Sequence, residues 1–361
     1  MGGNALKDYG VVRVSSAVEA QKAAEVISIL SARMLEAGLE LLPRKVIAYR
    51  EKADHGDIDL IVPDGLRDLL TPPQIAKLLS DHYGVEIPCA YHGQDEPDPT
   101  VIQKTSMISL GVPLEEGGRV QVDLIWVKDH ELGYAEGYYA WNDLGNLVGE
   151  IKKKMGLKFG HKGLTMMVNM GNRYGGEVMI SQDFKATVEF FGYDHARWAR
   201  GFDNLQQIFE FAASSSLFDP DVYLHEFRNS NDRAKERKRS TYSGFLDYLR
   251  ETQVPSNGVV WKASREDYLE SIFEAFPASR AEYQAVMDDL ALKMVRKARL
   301  NGELVQSVTG LDREELGAFV KALKMHHGEA FEEQVLNKGE EALVAAIRTF
   351  QRSWPSPGCT L

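Results

Sequence analysis

Apolar residues in the first third of the chain show two patterns in alternation, a spacing typical of helices and short runs typical of strands. Between residues 16 and 42 apolar side chains recur at helical spacing, which predicts a helix that Ser16 caps and Pro43 ends. Residues 71–83 show the same spacing and predict a second helix. Short apolar runs predict four strands, at residues 45–49, 58–62, 101–111 and 119–127. The order helix, strand, strand, helix, strand, strand predicts an α/β (α+β) fold, with a mixed β-sheet flanked by helices.

Helical spacing dominates the second half of the chain. Before it, the pattern predicts a helix at 141–155 and short strands at 164–168, 177–180 and 187–191. After Asp194 the strand signals nearly vanish. Helices are predicted at residues 194–213, 232–252, 264–276, 279–299, 312–325 and 328–352. We therefore expect a mixed domain at residues 1–192 and a mainly helical domain at residues 193–361.

The composition is typical of a globular protein with a sizeable core. The chain has 361 residues, of which 44% are hydrophobic and 26% charged, enough for about two domains. The sequence shows no apolar stretch of membrane-spanning length and no secretory signal, so we expect a cytoplasmic protein. Cys89 and Cys359 are far apart, which argues against disulfides and against a thiolate zinc site. The formal net charge of −11 argues against unspecific coating of nucleic acid, but it leaves room for a local basic groove.

Two acidic residues stand together at the start of a predicted strand. Asp57 and Asp59 are two positions apart, so their side chains project from the same face of that strand. Two adjacent carboxylates repel each other, and a hard divalent cation such as Mg²⁺, which prefers carboxylate oxygens, resolves the conflict. An Asp-x-Asp pair in a turn is often only structural, but Asp123 adds a third acid inside the apolar strand 120–127. If the two strands are neighbours, three carboxylates converge on one metal site.

These residues resemble a known family, the DNA polymerase β-like nucleotidyltransferases, which include tRNA CCA-adding enzymes and poly(A) polymerases. Its members carry an Asp-hydrophobic-Asp-hydrophobic strand and a third acid on a later strand, as residues 55–62 and 121–125 do here. The resemblance covers a core at residues 44–127. It implies that Asp57, Asp59 and Asp123 are catalytic and hold two Mg²⁺ ions, for which Mn²⁺ is a substitute.

The chain departs from the family pattern where a glycine pair would hold the triphosphate. Residues 48–52 contain no glycine, whereas the chain starts with Met-Gly-Gly-Asn. Backbone N–H groups of these first residues would replace the pair, unless they form only a loose terminus. Arg50 and Lys52 would clamp the triphosphate by charge. The candidate nucleotide-binding residues are Gly2, Gly3, Asn4, Arg50, Lys52 and Gly56, and the expected nucleotide is ATP or CTP.

The whole chain also resembles, more loosely, nucleotidyltransferase-like proteins of tailed phages. The segments that carry this likeness are the Met-Gly-Gly-Asn start, the Asp-x-Asp strand at residues 57–59, and residues 141–149, 156–161 and 200–203. It implies the cytoplasm of a bacterial host. Two basic clusters are candidates for contacts with an acceptor, because closely spaced cations neutralise successive phosphates. Their residues are Lys158, His161, Lys162, Arg233, Lys235, Arg237, Lys238 and Arg239. A solvated helix face is the alternative interpretation of each cluster.

The expected reaction is transfer of a nucleoside monophosphate from a nucleoside triphosphate to an acceptor hydroxyl, with release of pyrophosphate. An RNA 3′ end, above all that of tRNA, is the first choice of acceptor because of the basic clusters and the helical half. The alternatives are a protein or small-molecule acceptor, a metal-dependent nuclease, and a non-catalytic binding or virion module that keeps the fold. The missing glycine pair favours the last of these, and the three acids oppose it.

Overall fold

A computed structural model describes most of the chain, namely residues 5–91, 107–224, 239–328, 331 and 335–354. Within these ranges, no helix combines the length and the apolar character that crossing a membrane requires. The first four residues lie outside them, and so do residues 225–238, which include most of the second basic cluster.

A five-stranded mixed sheet forms the centre of the N-terminal half. Its strands are β2 (Arg44–Lys45), β4 (Asp57–Pro63), β5 (Cys89–Tyr91), β6 (Met107–Pro113) and β7 (Arg119–Val127), in the spatial order β2-β4-β7-β6-β5. The β4 and β7 strands are parallel, and all other neighbours in this sheet are antiparallel. Two glycines with positive φ, Gly117 and Gly118, form the turn that reverses the chain between β6 and β7. The predicted mixed sheet is confirmed, although the first predicted strand is only two residues long.

Two helices cover one face of this sheet, namely α1 (Ser16–Glu36) and α2 (Pro72–Tyr83). Their apolar positions recur every three or four residues, and they pack on alternate residues of the two central strands. The contributions of β4 to this core are Ile58, Leu60 and Val62, all fully buried. The odd-numbered residues of β4 therefore face the opposite side of the sheet.

The helix ends follow from local capping chemistry. The Ser15 side chain accepts a hydrogen bond from the Val18 N–H, so Ser15 caps α1 instead of the predicted Ser16. The helix ends at Glu36, six residues before the predicted end. The Gln74 side chain accepts a 2.8 Å hydrogen bond from the Thr71 N–H and so fixes the start of α2.

Three antiparallel strands follow the first sheet, namely β8 (Leu157–Gly160), β9 (Gly163–Met170) and β10 (Arg173–Ser181), in the order β10-β9-β8. The strands predicted at 164–168 and 177–180 are thereby confirmed. The strand predicted at 187–191 is wrong, because these residues belong largely to the helix Phe184–Phe190. Asp183 caps that helix through a 2.9 Å hydrogen bond from the Ala186 N–H, and a cap of this kind outweighs the aromatic, strand-like composition.

The rest of the described chain is helical, which confirms the prediction of a mainly helical C-terminal region. Its helices of six or more residues are His195–Arg200, Leu205–Ala212, Ser240–Thr252, Leu269–Ala275, Ser279–Arg299, Gly302–Thr309, Arg313–His327 and Glu340–Gln351. The sequence pattern did not predict the helix Gly302–Thr309, which Asn301 caps through the Leu304 N–H.

The chain divides into two compact units. The first comprises residues 1–166 and 179–280, and the second comprises residues 167–178 and 281–361. A separate apolar core, which includes Phe319, Leu323 and Ile347, stabilises the second unit. The predicted functional boundary between residues 192 and 193 does not coincide with this division and stays a prediction.

Candidate metal centre

Three aspartates converge on one face of the central strand pair. In the parallel register of β4 and β7, Asp59 lies opposite Asp123, and Asp57 lies opposite Gln121. Each aspartate offers a carboxylate oxygen, and these oxygens all lie within 4.8 Å of one another. The expectation that the two strands are neighbours and bring the three acids together is confirmed.

The face that carries the aspartates is covered at one end and open at the other. Ile61, the next residue of β4 on this face, packs with Val127 against Leu132 and Ala135 of the helix Leu132–Tyr139. The aspartates lie beyond this cover and line a cavity of about 1720 Å³. The site is therefore bounded by the sheet on one side and accessible to a ligand from the cavity.

The aspartates crowd three carboxylates together at a partly buried position. Burial, followed by the charges of Asp57 and Asp123, raises the pKa of Asp59 to about 8. Among the described residues, none forms a hydrogen bond or an ion pair with the carboxylate of Asp57 or Asp59. Converging carboxylates of this kind fit a hard divalent cation, which binds oxygen ligands and neutralises their repulsion.

Asp123 is held in place by side chains that the sequence pattern did not single out. Ser109 Oγ donates a 2.5 Å hydrogen bond to Asp123 Oδ1 from the neighbouring strand β6. Gln121 Nε2 donates to both Asp123 carboxylate oxygens, at 2.9 and 3.1 Å. Both donors occupy positions that strand alternation and register would have indicated, but only once the strand order was known.

The turn before β4 is fixed by a short second sheet. The strands β1 (Val14–Ser15) and β3 (Asp54–His55) pair there, and Ser16 Oγ donates to the Lys52 carbonyl oxygen. The same hydroxyl lies 3.2 Å from His55 Nε2, and burial lowers the pKa of that imidazole. These contacts position the chain that leads directly into Asp57.

The loop at residues 48–52, where the family pattern would have a glycine pair, is bound to a distant segment. The Arg50 and Glu51 N–H groups donate to the carbonyl oxygens of Phe202 and Asp203, at 3.0 and 2.7 Å. The Arg50 guanidinium pairs with the Asp203 carboxylate at 2.6 Å. The backbone N–H groups of Arg50 and Glu51 are thus engaged within the protein.

The predicted nucleotide-binding residues have different environments. Lys52 and Gly56 line the cavity with the three aspartates, whereas Arg50 is paired with Asp203. Gly2, Gly3 and Asn4 lie outside the described residues. The next residue, Ala5, lines the cavity.

A second wall of the cavity is polar and aromatic. His161 stacks on Tyr139, with ring centroids 5.7 Å apart, and burial lowers the pKa of this imidazole. Asp143 accepts hydrogen bonds from Asn146 Nδ2 at 2.9 Å and from an Arg239 guanidinium nitrogen at 3.1 Å. All five residues line the cavity. The sequence predicted a role only for His161 and Arg239.

The other predicted acceptor-binding residues are not part of this wall. Lys158 and Lys162 are exposed, and neither is among the described residues that line the cavity. The remaining four, Arg233, Lys235, Arg237 and Lys238, lie outside the described residues.

Two consecutive residues beside the cavity adopt a strained backbone conformation. The backbone φ angles of Trp141 and Asn142 are 65° and 60°, values that residues other than glycine rarely adopt. The Trp141 N–H donates to the Ile47 carbonyl oxygen at 2.7 Å, and its ring packs against Phe202 and Gly201. This packing holds Asn142 at the cavity wall.

Comparisons with known proteins add little beyond a weak structural likeness. No protein-family model matches the chain, and no curated protein matches it significantly. Among solved structures, a polymerase beta of Leishmania infantum in a ternary P/T complex matches with a TM-score of 0.34 and 12% sequence identity. The match covers 46% of this chain and 62% of the polymerase chain, less than two thirds of its length.

Proposed function

We propose that this protein transfers a nucleoside monophosphate from a nucleoside triphosphate to an acceptor hydroxyl and releases pyrophosphate, in a reaction that requires Mg²⁺. The observation that carries the proposal is the convergence of Asp57, Asp59 and Asp123 at the cavity, where their carboxylate oxygens lie within 4.8 Å of one another. Phosphoryl and nucleotidyl transfer depend mainly on positioning and charge neutralisation, which such a site provides.

The three aspartates are the ligands of the proposed metal ions. Divalent cations there would neutralise charge on the triphosphate and on the attacking and leaving oxygens. The aspartates fix the place where this charge develops, because they extend from two hydrogen-bonded strands of the sheet. Lys52 and Gly56 line the same cavity and are proposed to contact the triphosphate, together with the N-terminal Gly2, Gly3 and Asn4.

The proposed acceptor is an RNA 3′ end, with tRNA as the first candidate. Support comes from His161 and Arg239, which line the cavity that holds the aspartates. The basic residues Lys158 and Lys162, and those between 233 and 238, would contact the RNA backbone further from the reacting atoms. The proposed nucleotide is ATP or CTP.

The test combines each α-labelled nucleoside triphosphate with Mg²⁺ and total RNA. We expect label on RNA with the wild-type protein and none with Asp59→Asn, which keeps the shape of the side chain and removes its charge. Asp68→Asn, at an exposed position of the helix Asp64–Leu69, is the matched control and keeps the activity. Omission of Mg²⁺, or addition of a chelator, abolishes the transfer.

Other distributions of the label identify the alternatives. Label on a protein band or on a small molecule contradicts RNA as the acceptor and retains nucleotidyl transfer. Cleavage of the RNA without any need for a nucleoside triphosphate indicates a nuclease. Absence of both reactions, in a folded protein that has all three aspartates, indicates a binding module that keeps the fold.

A further inference from the structure

Gln121 connects the aspartate cluster with the N-terminal part of the chain. It lies on β7 two residues before Asp123, directly opposite Asp57 on β4, and only 2% of its surface is exposed. Its Oε1 atom accepts hydrogen bonds from the N–H groups of Ala5 and Leu6, at 3.0 and 3.3 Å. One buried side chain thus bridges residues that are more than a hundred positions apart.

The hydrogen-bond partners determine how the Gln121 amide is oriented. Its carbonyl oxygen faces two backbone donors, and its NH₂ group faces a carboxylate that only accepts. The flipped amide would place donors against donors and an acceptor against an acceptor. The side chain therefore has one favourable orientation, in which the contact with Ala5 and Leu6 also directs the NH₂ group toward Asp123.

We propose that Gln121 is a positioning residue of the metal centre, which ties the chain at Ala5 and Leu6 to Asp123 and so increases the cation affinity of the site. The proposal rests on the proposed function only in taking the three aspartates as cation ligands. Partners that orient ligating carboxylates typically change metal affinity by about 10- to 100-fold when they are removed. Ser109 orients the same carboxylate from the other side, so Asp123 is held between donors on two strands.

Glutamine suits this position because it both donates and accepts. Glutamate would lack the donor and place a fourth carboxylate opposite Asp57. Methionine has a similar length and makes neither strong hydrogen bond, so Gln121→Met removes the bridge and keeps most of the packing volume.

The first experiment measures Mn²⁺ binding to the full-length protein by titration calorimetry, without any nucleotide. We expect Gln121→Met to raise the Mn²⁺ dissociation constant about tenfold or more. Gln207→Met is the matched control, because Gln207 likewise accepts from a backbone N–H and donates to a carboxylate, both of Asp203. Thermal unfolding of each variant shows whether it is folded, and the control is expected to bind Mn²⁺ as the wild type does.

A second measurement distinguishes a specific link between the metal site and the segment at Ala5 and Leu6 from a general loss of structural order in the variant. Hydrogen exchange at the Ala5 and Leu6 amides is expected to slow when Mn²⁺ binds to the wild type, and to show no such response in Gln121→Met. Ala5→Pro removes one of the two backbone donors without changing the buried core, and is expected to weaken Mn²⁺ binding by about fivefold, the equivalent of one net hydrogen bond. This variant tests the proposal if Gln121→Met does not fold.

The outcomes distinguish the proposed role of Gln121 from the proposed nucleotidyl transfer. If Gln121→Met and Ala5→Pro are folded and bind Mn²⁺ within twofold of the wild type, the coupling is refuted, whether or not nucleotidyl transfer is observed. If both weaken Mn²⁺ binding and the wild type transfers no nucleotide, the coupling stands and the proposed function fails. A wild-type protein that does not bind Mn²⁺ at all contradicts both.

Discussion

Asp59 and Asp123 lie directly opposite each other on two parallel strands, and both carboxylates reach the same cavity. Such a pair cannot easily carry two negative charges, and Asp57 adds a third. The high pKa of Asp59 is the direct result of this arrangement and of burial. It makes the site sensitive to pH, to cations and to replacement of single carboxylates.

Cation binding should depend steeply on pH. Because Asp59 has a pKa of about 8 in the cation-free protein, a bound cation must displace its proton below that pH. The affinity for Mn²⁺ is expected to rise by about tenfold per pH unit between pH 6 and 8 and then to level off. Titration calorimetry at several pH values measures this. The Asp59→Asn variant has no carboxyl proton to displace at this position. Its remaining affinity for Mn²⁺ should therefore not change between pH 6 and 8.

Removal of the Asp59 charge should stabilise the cation-free protein at high pH. A raised carboxyl pKa means that the folded state binds more protons than the unfolded state between about pH 4 and pH 8. The contribution of Asp59 to stability therefore falls as the pH rises through this window. Asp59→Asn should unfold a few degrees above the wild type at pH 9, with a chelator present, and close to it at pH 5. Mn²⁺ added in excess of the chelator should make the wild type more stable than Asp59→Asn at pH 9. If the wild type is already the more stable protein at pH 9 without Mn²⁺, this explanation is wrong.

Gly201→Ala should destabilise the first unit and disturb the cavity wall. A Cβ atom at this position would lie 2.2 Å from the Trp141 ring, and the φ of 78° disfavours other residues. We expect a loss of about 2 kcal/mol or more in the free energy of unfolding. Gly133→Ala is the control, because its Cβ meets no atom within 4 Å in the helix Leu132–Tyr139, and it should be neutral or slightly stabilising. Denaturant titration compares the two, and equal stability would show that the Trp141 contact has little effect.

Lys152 should impose a pH dependence of its own. Burial lowers the pKa of its ammonium group to about 7, and its Nζ donates to the Phe159 carbonyl oxygen at 2.9 Å. Between pH 7 and about pH 10 the unfolded state binds more protons at this residue, so its contribution makes stability rise with pH. Lys152→Met should flatten that slope in thermal unfolding and stabilise the protein most at pH 6. Lys154→Met, at an exposed position, controls for the loss of one positive charge.

The sequence was sufficient to predict that Asp57 and Asp59 share one face of a strand, because strand alternation is a local pattern. Their convergence with Asp123 depended on the pairing of β4 with β7, which the family resemblance implied and local patterns alone did not. It could not predict Gln121, since its contacts with Ala5 and Leu6 join segments more than a hundred residues apart. The Arg239 contact with Asp143 has the same character. The helix Phe184–Phe190 was missed because the Asp183 cap outweighs an aromatic composition that favours strands. The features that the sequence did not predict were thus mainly contacts between distant segments and helix caps.

Alternating residues of β4 serve the aspartate cluster on one face and the apolar core on the other. Ile58, Leu60 and Val62 form the core under the helices, and Asp57 and Asp59 occupy the intervening positions. A single-residue insertion or deletion between residues 57 and 62 would move the residues on one side of it to the opposite face, so that either carboxylates enter the core or apolar side chains enter the cavity. Unless a β-bulge absorbs the change in length, it would disturb the core and the aspartate cluster together. The strand should therefore tolerate replacement of single aspartates better than a change in its length.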